Sequence, residues 1–413
     1  MFPVFMMALA ATSPHIDLYT MGQGAYIFER YGHAAVCVAF DRQPQLSRCY
    51  NYGTTEFDAP GRLTWDFLRG DARFSVSVSS LRQMLSVYRR ADRSVWRQRL
   101  PLTATQVAAF QAKLEYDARE ENRYYVYHHF SNNCTTRIRD TLDDVTDGVL
   151  SRYGARPMRR TYRDLGAQGL ADYTLARVAS DFALGRAADA PITVYDGMFH
   201  PDLFREGVAA AYGAEPEAVS VRQGPRFPQT GPTGRHWTAL LAALVVAPVV
   251  AREWSTRYGR LFLALTGAGL GLIALTLWGL AAISAVAELR WNEALLVFWP
   301  SDAALPFFPV RMVRGYARIR ILSVVVVSAL AAVGLLRQPL FAPLLLPLAV
   351  FGVLAWPSTA GTGVARSTRN RSPARLSIEP SGKSRSDGRA GVGGRLRGLL
   401  GMTAAEQTDA RIP

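Results

Sequence analysis

Hydrophobic residues are distributed along this chain in two different ways. Up to about residue 235 they alternate with polar positions or recur at helical spacing; beyond it they come in long blocks. In the first region, residues 33–40 (HAAVCVAF) are apolar and β-compatible. Residues 41–47 are polar and contain Pro44, and residues 48–53 (RCYNYG) return, which predicts a hairpin of two short strands. Residues 73–79 (RFSVSVS) alternate strictly and predict another strand, followed by a short helix over 81–90 and a strand over 95–102. Thr103 or Thr105 caps a helix running to about residue 122, with Val107, Phe110, Leu114 and Ala118 on one face. The aromatic stretch 123–130 (RYYVYHHF) predicts a strand. Ser131-Asn132-Asn133-Cys134 then leads into a helix over 135–150 whose stripe is Cys134, Ile138, Leu142, Val145 and Val149. Two more helices are expected, over 169–184 and 201–212. The sum is an α+β domain over residues 15–223, closed by a Gly/Pro-rich linker at 224–235.

The blocks that follow are residues 237–251, 261–287, 321–336 and 339–357, each free of charged side chains. A stretch of about 18 or more such residues marks a membrane-crossing helix. Four blocks in close succession predict an all-α transmembrane domain over 236–356 with four to five helices. Gly267, Gly269, Gly271 and Gly279 in the second block suit close helix packing. Arginines set the orientation: Arg252, Arg257 and Arg260 follow the first block, Arg311, Arg314, Arg318 and Arg320 precede the third, and an Arg-rich tail follows the fourth. Positive residues favour the cytoplasmic side. Five crossings place all three clusters there, four do not. The extra crossing is residues 294–310 (ALLVFWPSDAALPFFPV), broken by Asp302 and three prolines, a form tolerated where protein or water covers the backbone. Either count puts the α+β domain on the outer side.

Composition sharpens this picture. The chain is 49% hydrophobic and 19% charged, which excludes a mainly disordered protein, and its net charge of +14 first suggests nucleic acid. Residues 1–235, however, carry a net of only +3, residues 236–356 carry +5 and residues 357–413 carry +6. The basicity therefore reads as membrane topology and attraction to anionic lipid, and no nucleic-acid partner is expected. Residues 1–14 are an apolar N-terminus with Ala8-Leu9-Ala10 resembling a signal cleavage site, without a basic leading segment. Residues 357–413, rich in Ser, Gly, Arg and Pro, read as a disordered basic tail.

Three cysteines are present, Cys37, Cys49 and Cys134. Cys37 and Cys49 lie on the two arms of the hairpin and either bridge across it or serve as two small buried hydrophobes. Cys134 is left for chemistry. It follows the N-cap pair Asn132-Asn133, so it sits at a helix N-terminus, where backbone N–H groups and the helix dipole stabilise a thiolate and can receive an oxyanion. Among the six histidines, His33 opens an apolar strand; His128 and His129 face either the site or surface carboxylates. The spacing of His128, His129 and Cys134 does not suit zinc, and no cofactor is called for.

The run Tyr31-Gly32-His33-Ala34-Ala35 with Tyr50-Asn51-Tyr52-Gly53, and later Asn133-Cys134-Thr135-Thr136-Arg137-Ile138-Arg139-Asp140, resembles the Lnb-type periplasmic domain of bacterial lipoprotein N-acyltransferases. Further similar segments are Leu184-Gly185-Arg186-Ala187-Ala188-Asp189, Phe199-His200-Pro201, and Trp291-Asn292-Glu293-Ala294-Leu295-Leu296. The resemblance implies a permuted papain-like (NlpC-type) thiol enzyme in which the His strand precedes the Cys helix. It implies Cys134 as nucleophile and His33 as general base, with Asn51 on the partner strand as the group that orients the imidazole. The implied reaction moves a fatty acyl chain from a membrane lipid, through a Cys134 thioester, to the N-terminal cysteine amine of a lipoprotein. The implied partners are a lipid acyl donor, a lipoprotein acceptor and the membrane. The implied location is the bacterial inner membrane, with residues 15–223 in the periplasm. A membrane-anchored cysteine hydrolase (peptidase, amidase or lipase) would use the same Cys134–His33 pair.

Overall fold

A computed structural model describes residues 13–55, 60–231, 234–254 and 258–355. The basic tail at 357–413 and all but the last two residues of the apolar N-terminus lie outside these. Seven strands form one sheet: β1 (His15–Met21), β2 (His33–Ala39), β3 (Arg48–Thr54), β4 (Arg73–Ser80), β5 (Val95–Arg99), β6 (Tyr124–Val126) and β7 (Glu217–Ser220), in the spatial order β6-β4-β3-β2-β1-β5-β7. All neighbours are antiparallel. The expected hairpin is β2–β3. Its register puts Cys37 opposite Cys49, and the two are disulfide-bonded.

The sheet is covered on both faces. On one, Ile16, Leu18, Ala34, Val36, Tyr50 and Tyr52 meet Phe110 and Leu114 of α3 (Ala104–Asp117), Ile138 and Leu142 of α4 (Cys134–Val145) and Phe204 of the helix Pro201–Tyr212. On the other, Tyr19, Met21, Ala35, Cys37 and Cys49 pack on Met84 of the helix Leu81–Arg90. Strand β1 was not expected; it is set in the sheet by pairing with β2 on one edge and β5 on the other, with its polar Asp17 and Thr20 buried. A helix Pro60–Arg69 also went unread. The helix expected over 135–150 stops at Val145, because Asp147 (φ 52°) and Gly148 (φ 80°) turn the chain into the left-handed region. The helix expected over 169–184 is Thr174–Ala183, preceded by a separate helix Tyr162–Gly169. The strand expected over 123–130 is only Tyr124–Val126, because the rest is drawn into a bridged turn before Cys134.

Among the described residues, three helices beyond residue 234 are long and apolar enough to cross a membrane: Arg235–Trp254, Gly259–Ile283 and Val310–Ala332. Phe341–Ala355 is a shorter apolar helix. The third long helix begins eleven residues before its charge-free block. Its buried positions Val313, Ala317, Arg320, Val324 and Val327 follow one helical stripe, so Arg320 points inward. Between the second and third long helices the chain breaks into short pieces, including 3-10 helices Glu293–Leu296 and Pro300–Phe307. The latter lies against Gly267 and Gly271, where Asp302 and Ala303 approach the helix backbone closely.

An ion pair holds this broken segment. Asp302 and Arg320 are both fully buried, with Arg320 Nε and Nη2 donating to the two carboxylate oxygens at 2.9 Å. The Tyr316 hydroxyl donates to Asp302 at 2.6 Å and Arg320 Nη2 donates to the Val297 carbonyl at 2.6 Å. Removing one partner of a buried pair leaves an uncompensated charge, which costs about 3–5 kcal/mol, whereas replacing both by apolar groups costs little. Asp302→Ala should therefore lower the thermal unfolding midpoint in detergent strongly, and Asp302→Leu/Arg320→Leu should recover most of the loss. Equal losses in the single and the double variant would contradict this.

Candidate functional site

The local sequence around Cys134 builds a capped helix start. Asn133 Oδ1 accepts from the Thr135 and Thr136 amides at 2.9 Å each, and the Thr136 hydroxyl accepts from the Asn133 amide at 2.8 Å. Asn133 Nδ2 donates to the His129 and Phe199 carbonyls at 2.7 and 3.1 Å, so the cap is itself clamped between two loops. Cys134 is thus the first residue of the helix, a position at which a backbone N–H can receive an oxyanion. Farther along α4, Arg139 donates to Asp140 and to the Tyr195 carbonyl, and the Tyr195 hydroxyl donates to Asp140 at 2.9 Å. Those two residues anchor the helix.

The β2–β3 hairpin brings His33 to the same place. Gly53, at the end of β3, has φ +91° and sits where the pairing with β4 shifts register. A Cβ built on Gly53 would stand 3.6 Å from Cys134 Cβ, 3.9 Å from His33 Cε1 and 3.9 Å from Tyr125 Oη. One point in space is thus ringed by the thiol-bearing carbon, the imidazole and a phenol. The positive φ disfavours any side chain there, which keeps the approach to the sulfur open.

Electrostatics match this geometry. Burial alone would raise the Cys134 thiol. The His33 imidazole, through its charge and a hydrogen bond, opposes it most strongly; the Ala34 amide and the Thr135 hydroxyl (3.7 Å from Sγ) add to it, and the thiol falls to about 7. Burial, and after it the neighbouring thiol, push the Tyr125 hydroxyl up, so it stays a neutral O–H. The other histidines near this loop have different work. His129 is deeply buried beside Tyr31, Phe130 and Phe199, and burial, followed by the charges of His128 and His200, pushes it down to about 3. It is neutral at physiological pH and serves as an aromatic core residue. His200 caps the helix Pro201–Tyr212 by accepting from the Asp202 amide. Among the described residues, no three His, Cys, Asp or Glu side chains converge to hold a metal.

Asn51 lies in β3 opposite Ser77, half-buried, and strand alternation from the Cys37–Cys49 pair puts it on the same sheet face as His33. No hydrogen bond joins Asn51 to His33. The imidazole instead lies near-parallel to the Tyr88 ring, centroids 6.0 Å apart. Tyr88 and Tyr125 were not singled out in the sequence; the only trace of them there is the density of tyrosines around the hairpin and before Cys134.

The remaining motif segments form a joint between the α+β part and the apolar helices. The Gly185 amide donates to the Glu288 carbonyl at 2.6 Å and the Arg186 amide to the Trp291 carbonyl at 2.8 Å. A Cβ on Gly185 would fall 2.1 Å from the Trp291 oxygen, so only glycine permits this approach. Asn292 Nδ2 donates to the Phe182 and Ala183 carbonyls, and Asp189 pairs through both oxygens with Arg163. Glu293 Oε2 accepts from the Arg337 and Gln338 amides. The Ala285 amide, at the end of the second long helix, donates to the Arg69 carbonyl at 2.9 Å.

Residues 2–168 match the family described as the Lnb N-terminal periplasmic domain. No curated protein and no solved structure matches the chain.

A thiol near 7 beside an imidazole titrates in an accessible range. Iodoacetamide should alkylate Cys134 in the full chain with a rate that rises through a midpoint of about 7. His33→Ala removes the largest stabilising influence on the thiolate and should move that midpoint up by more than about one pH unit. An unchanged midpoint in His33→Ala would show that the two groups do not interact.

Proposed function

From the Lnb-type periplasmic domain that its N-terminal part carries, joined to apolar helices of membrane-spanning length, we propose that the chain is a membrane-bound thiol acyltransferase. It would move a fatty acyl chain from a lipid to the N-terminal cysteine amine of a lipoprotein. The observation that carries this reading is the lowered thiol of Cys134, at a capped helix start beside His33, in a domain hydrogen-bonded directly to the apolar helices.

Each residue then has a step. The Cys134 thiolate attacks the ester carbonyl of the donor lipid, and the carbonyl oxygen takes up negative charge beside the Cys134 amide. Collapse breaks the ester C–O bond; the lipid alkoxide leaves with a proton from the imidazolium of His33, and the acyl group remains as a thioester. The acceptor amine attacks this thioester while His33 takes its proton, the C–S bond breaks and an amide is formed. Asn51 is proposed as the orienting side chain for His33 on the basis of its shared sheet face, and Tyr88 supports the ring by stacking.

The same reading has five membrane crossings with the third one broken. Residues 288–293 bond to 182–186, and Glu293 bonds to the amides at 337 and 338, so both connections belong on the periplasmic side. Arg311 and Arg314 then start the helix Val310–Ala332 on the cytoplasmic side. Reporter fusions after Gly315 and after Ser358 should both give a cytoplasmic signal; a periplasmic signal at both sinks the five-crossing topology.

Cys134→Ser and His33→Ala should each abolish N-acylation by at least about a hundredfold without unfolding the protein. The check is mass spectrometry of lipoprotein N-termini from cells with the wild-type gene, each variant or no gene. Unchanged N-acylation without the gene would reject acyl transfer and favour a hydrolase built on the same pair.

A further inference from the structure

The turn that delivers Cys134 is fastened to the membrane-side segment by a contact the mechanism above does not use. His128 and Asn132 exchange both backbone hydrogen bonds, at 3.1 and 3.0 Å, closing a tight turn. Inside it, His128 Nδ1 accepts from the Phe130 and Ser131 amides at 3.3 Å each. Asn132 continues outward by donating to the Val126 carbonyl and accepting from Arg137 Nε at 3.0 Å, which lies one turn after the thiol. Asn133 then caps α4. The turn thereby uses both backbone groups of His128 and Asn132, the Asn132 side-chain amide and His128 Nδ1, while His128 Nε2 faces out of it. That nitrogen lies 3.3 Å from Oε2 of Glu288, in the short helix Ala287–Arg290 that follows the second long apolar helix.

Glu288 is placed for this contact rather than for solvent. Its residue is 8% exposed, its Oε2 faces His128 Nε2, and its own carbonyl is held by the Gly185 amide. Burial opposes its charge, but the His128 imidazole holds the carboxyl below its usual range. The other titratable groups that sense it are the buried, neutral His129 and the Tyr162 hydroxyl. The group that faces this buried carboxylate thus comes from the turn before Cys134.

We infer that Glu288 is a positioning residue for Cys134: through His128 it fixes the 128–133 turn, and with it the capped helix start, so thiolate reactivity depends on the docking of the membrane-side segment. The inference rests on Cys134 being the reactive thiol, but not on the identity of the acyl acceptor.

The test is the pH profile of iodoacetamide alkylation of Cys134 in the full chain in detergent, alongside the thermal midpoint. In Glu288→Ala the loosened turn presents the helix amides less well, and the alkylation midpoint should rise by about half to one pH unit, with alkylation at pH 7 about threefold slower. Direct charge repulsion has the opposite sign, since deleting a nearby carboxylate would lower the thiol. His128→Asn keeps an acceptor for the Phe130 and Ser131 amides but cannot reach Glu288, so it should reproduce the upward shift. The double variant should shift no further than either single one. If Glu288→Ala lowers the thermal midpoint, His128→Asn decides the matter. A profile that is unchanged or moves down in His128→Asn overturns the inference. If these shifts are seen while lipoprotein N-acylation is unaffected by loss of the gene, the tether stands and the acyl-transfer reading falls.

Discussion

A thiolate in a buried place has to be compensated, and most of the architecture around Cys134 follows from that constraint. Burial raises the thiol; the imidazole of His33, the amide of Ala34 and the hydroxyl of Thr135 must together outweigh it for the group to ionise near neutral pH. None of these is a sequence neighbour of the cysteine except Thr135. The compensation requires the end of a strand and the start of a helix, a hundred residues apart, to meet within a few ångströms. The disulfide between Cys37 and Cys49 cross-links the hairpin that carries His33, and the double clamp on Asn133 holds the helix start. A positive-φ glycine at the meeting point keeps a side chain from between the thiol-bearing carbon and the imidazole.

The second constraint is polar satisfaction at the joint with the apolar helices. Every backbone group that leaves water here needs a partner. The segment 284–309 is neither a long helix nor a free loop, and its peptide groups are met by amides and carbonyls of residues 69 and 182–186, by Asn292 and by Arg320. This arrangement explains why motifs far apart in the chain form one unit. Gly185 permits the close approach, Asp189 steadies its loop through Arg163, and Asn292 and Glu293 fasten both neighbouring connections. Cys134 is one turn of chain away from that unit.

Much of this was legible in the sequence, for identifiable reasons. The hairpin, the strand expected over 73–79 and the helix at 81–90 are short local patterns and appear as expected, whereas Cys37 and Cys49 left a bridge and two buried hydrophobes equally open until the disulfide decided it. The position of Cys134 was legible because N-capping is a local rule. Strand β1 was not, because its place between β2 and β5 appears only once the sheet is assembled. Nor was the inward turn of Arg320, whose charge makes the block look shorter than its helix and whose partner Asp302 is eighteen residues away in sequence. Tyr88, Tyr125 and Glu288 could not have been identified without the tertiary contacts that define them. The orienting role expected of Asn51 came from its face of the hairpin, and the structure adds Tyr88 as the neighbour that stacks on the imidazole.

Transfer and hydrolysis differ in how a thioester is treated, and the numbers bear on that choice. A thiol near 7 is a far better leaving group than the alcohol of a lipid ester, so the proposed acyl-enzyme would be poised to give up its acyl group. An α-amine has an ordinary pKa of about 8, so an appreciable share is unprotonated near neutral pH, and the free amine is a stronger nucleophile than water. Water wins only by concentration. A membrane-side site counters that advantage in two ways: a lipid-anchored acceptor reaches a high effective concentration, and apolar chains beside the thioester displace water. Both require that the thiol sit close to the membrane surface. If the apolar helices cross a membrane as proposed, the short path from Cys134 through the 128–133 turn to the segment following the second of them would supply that proximity.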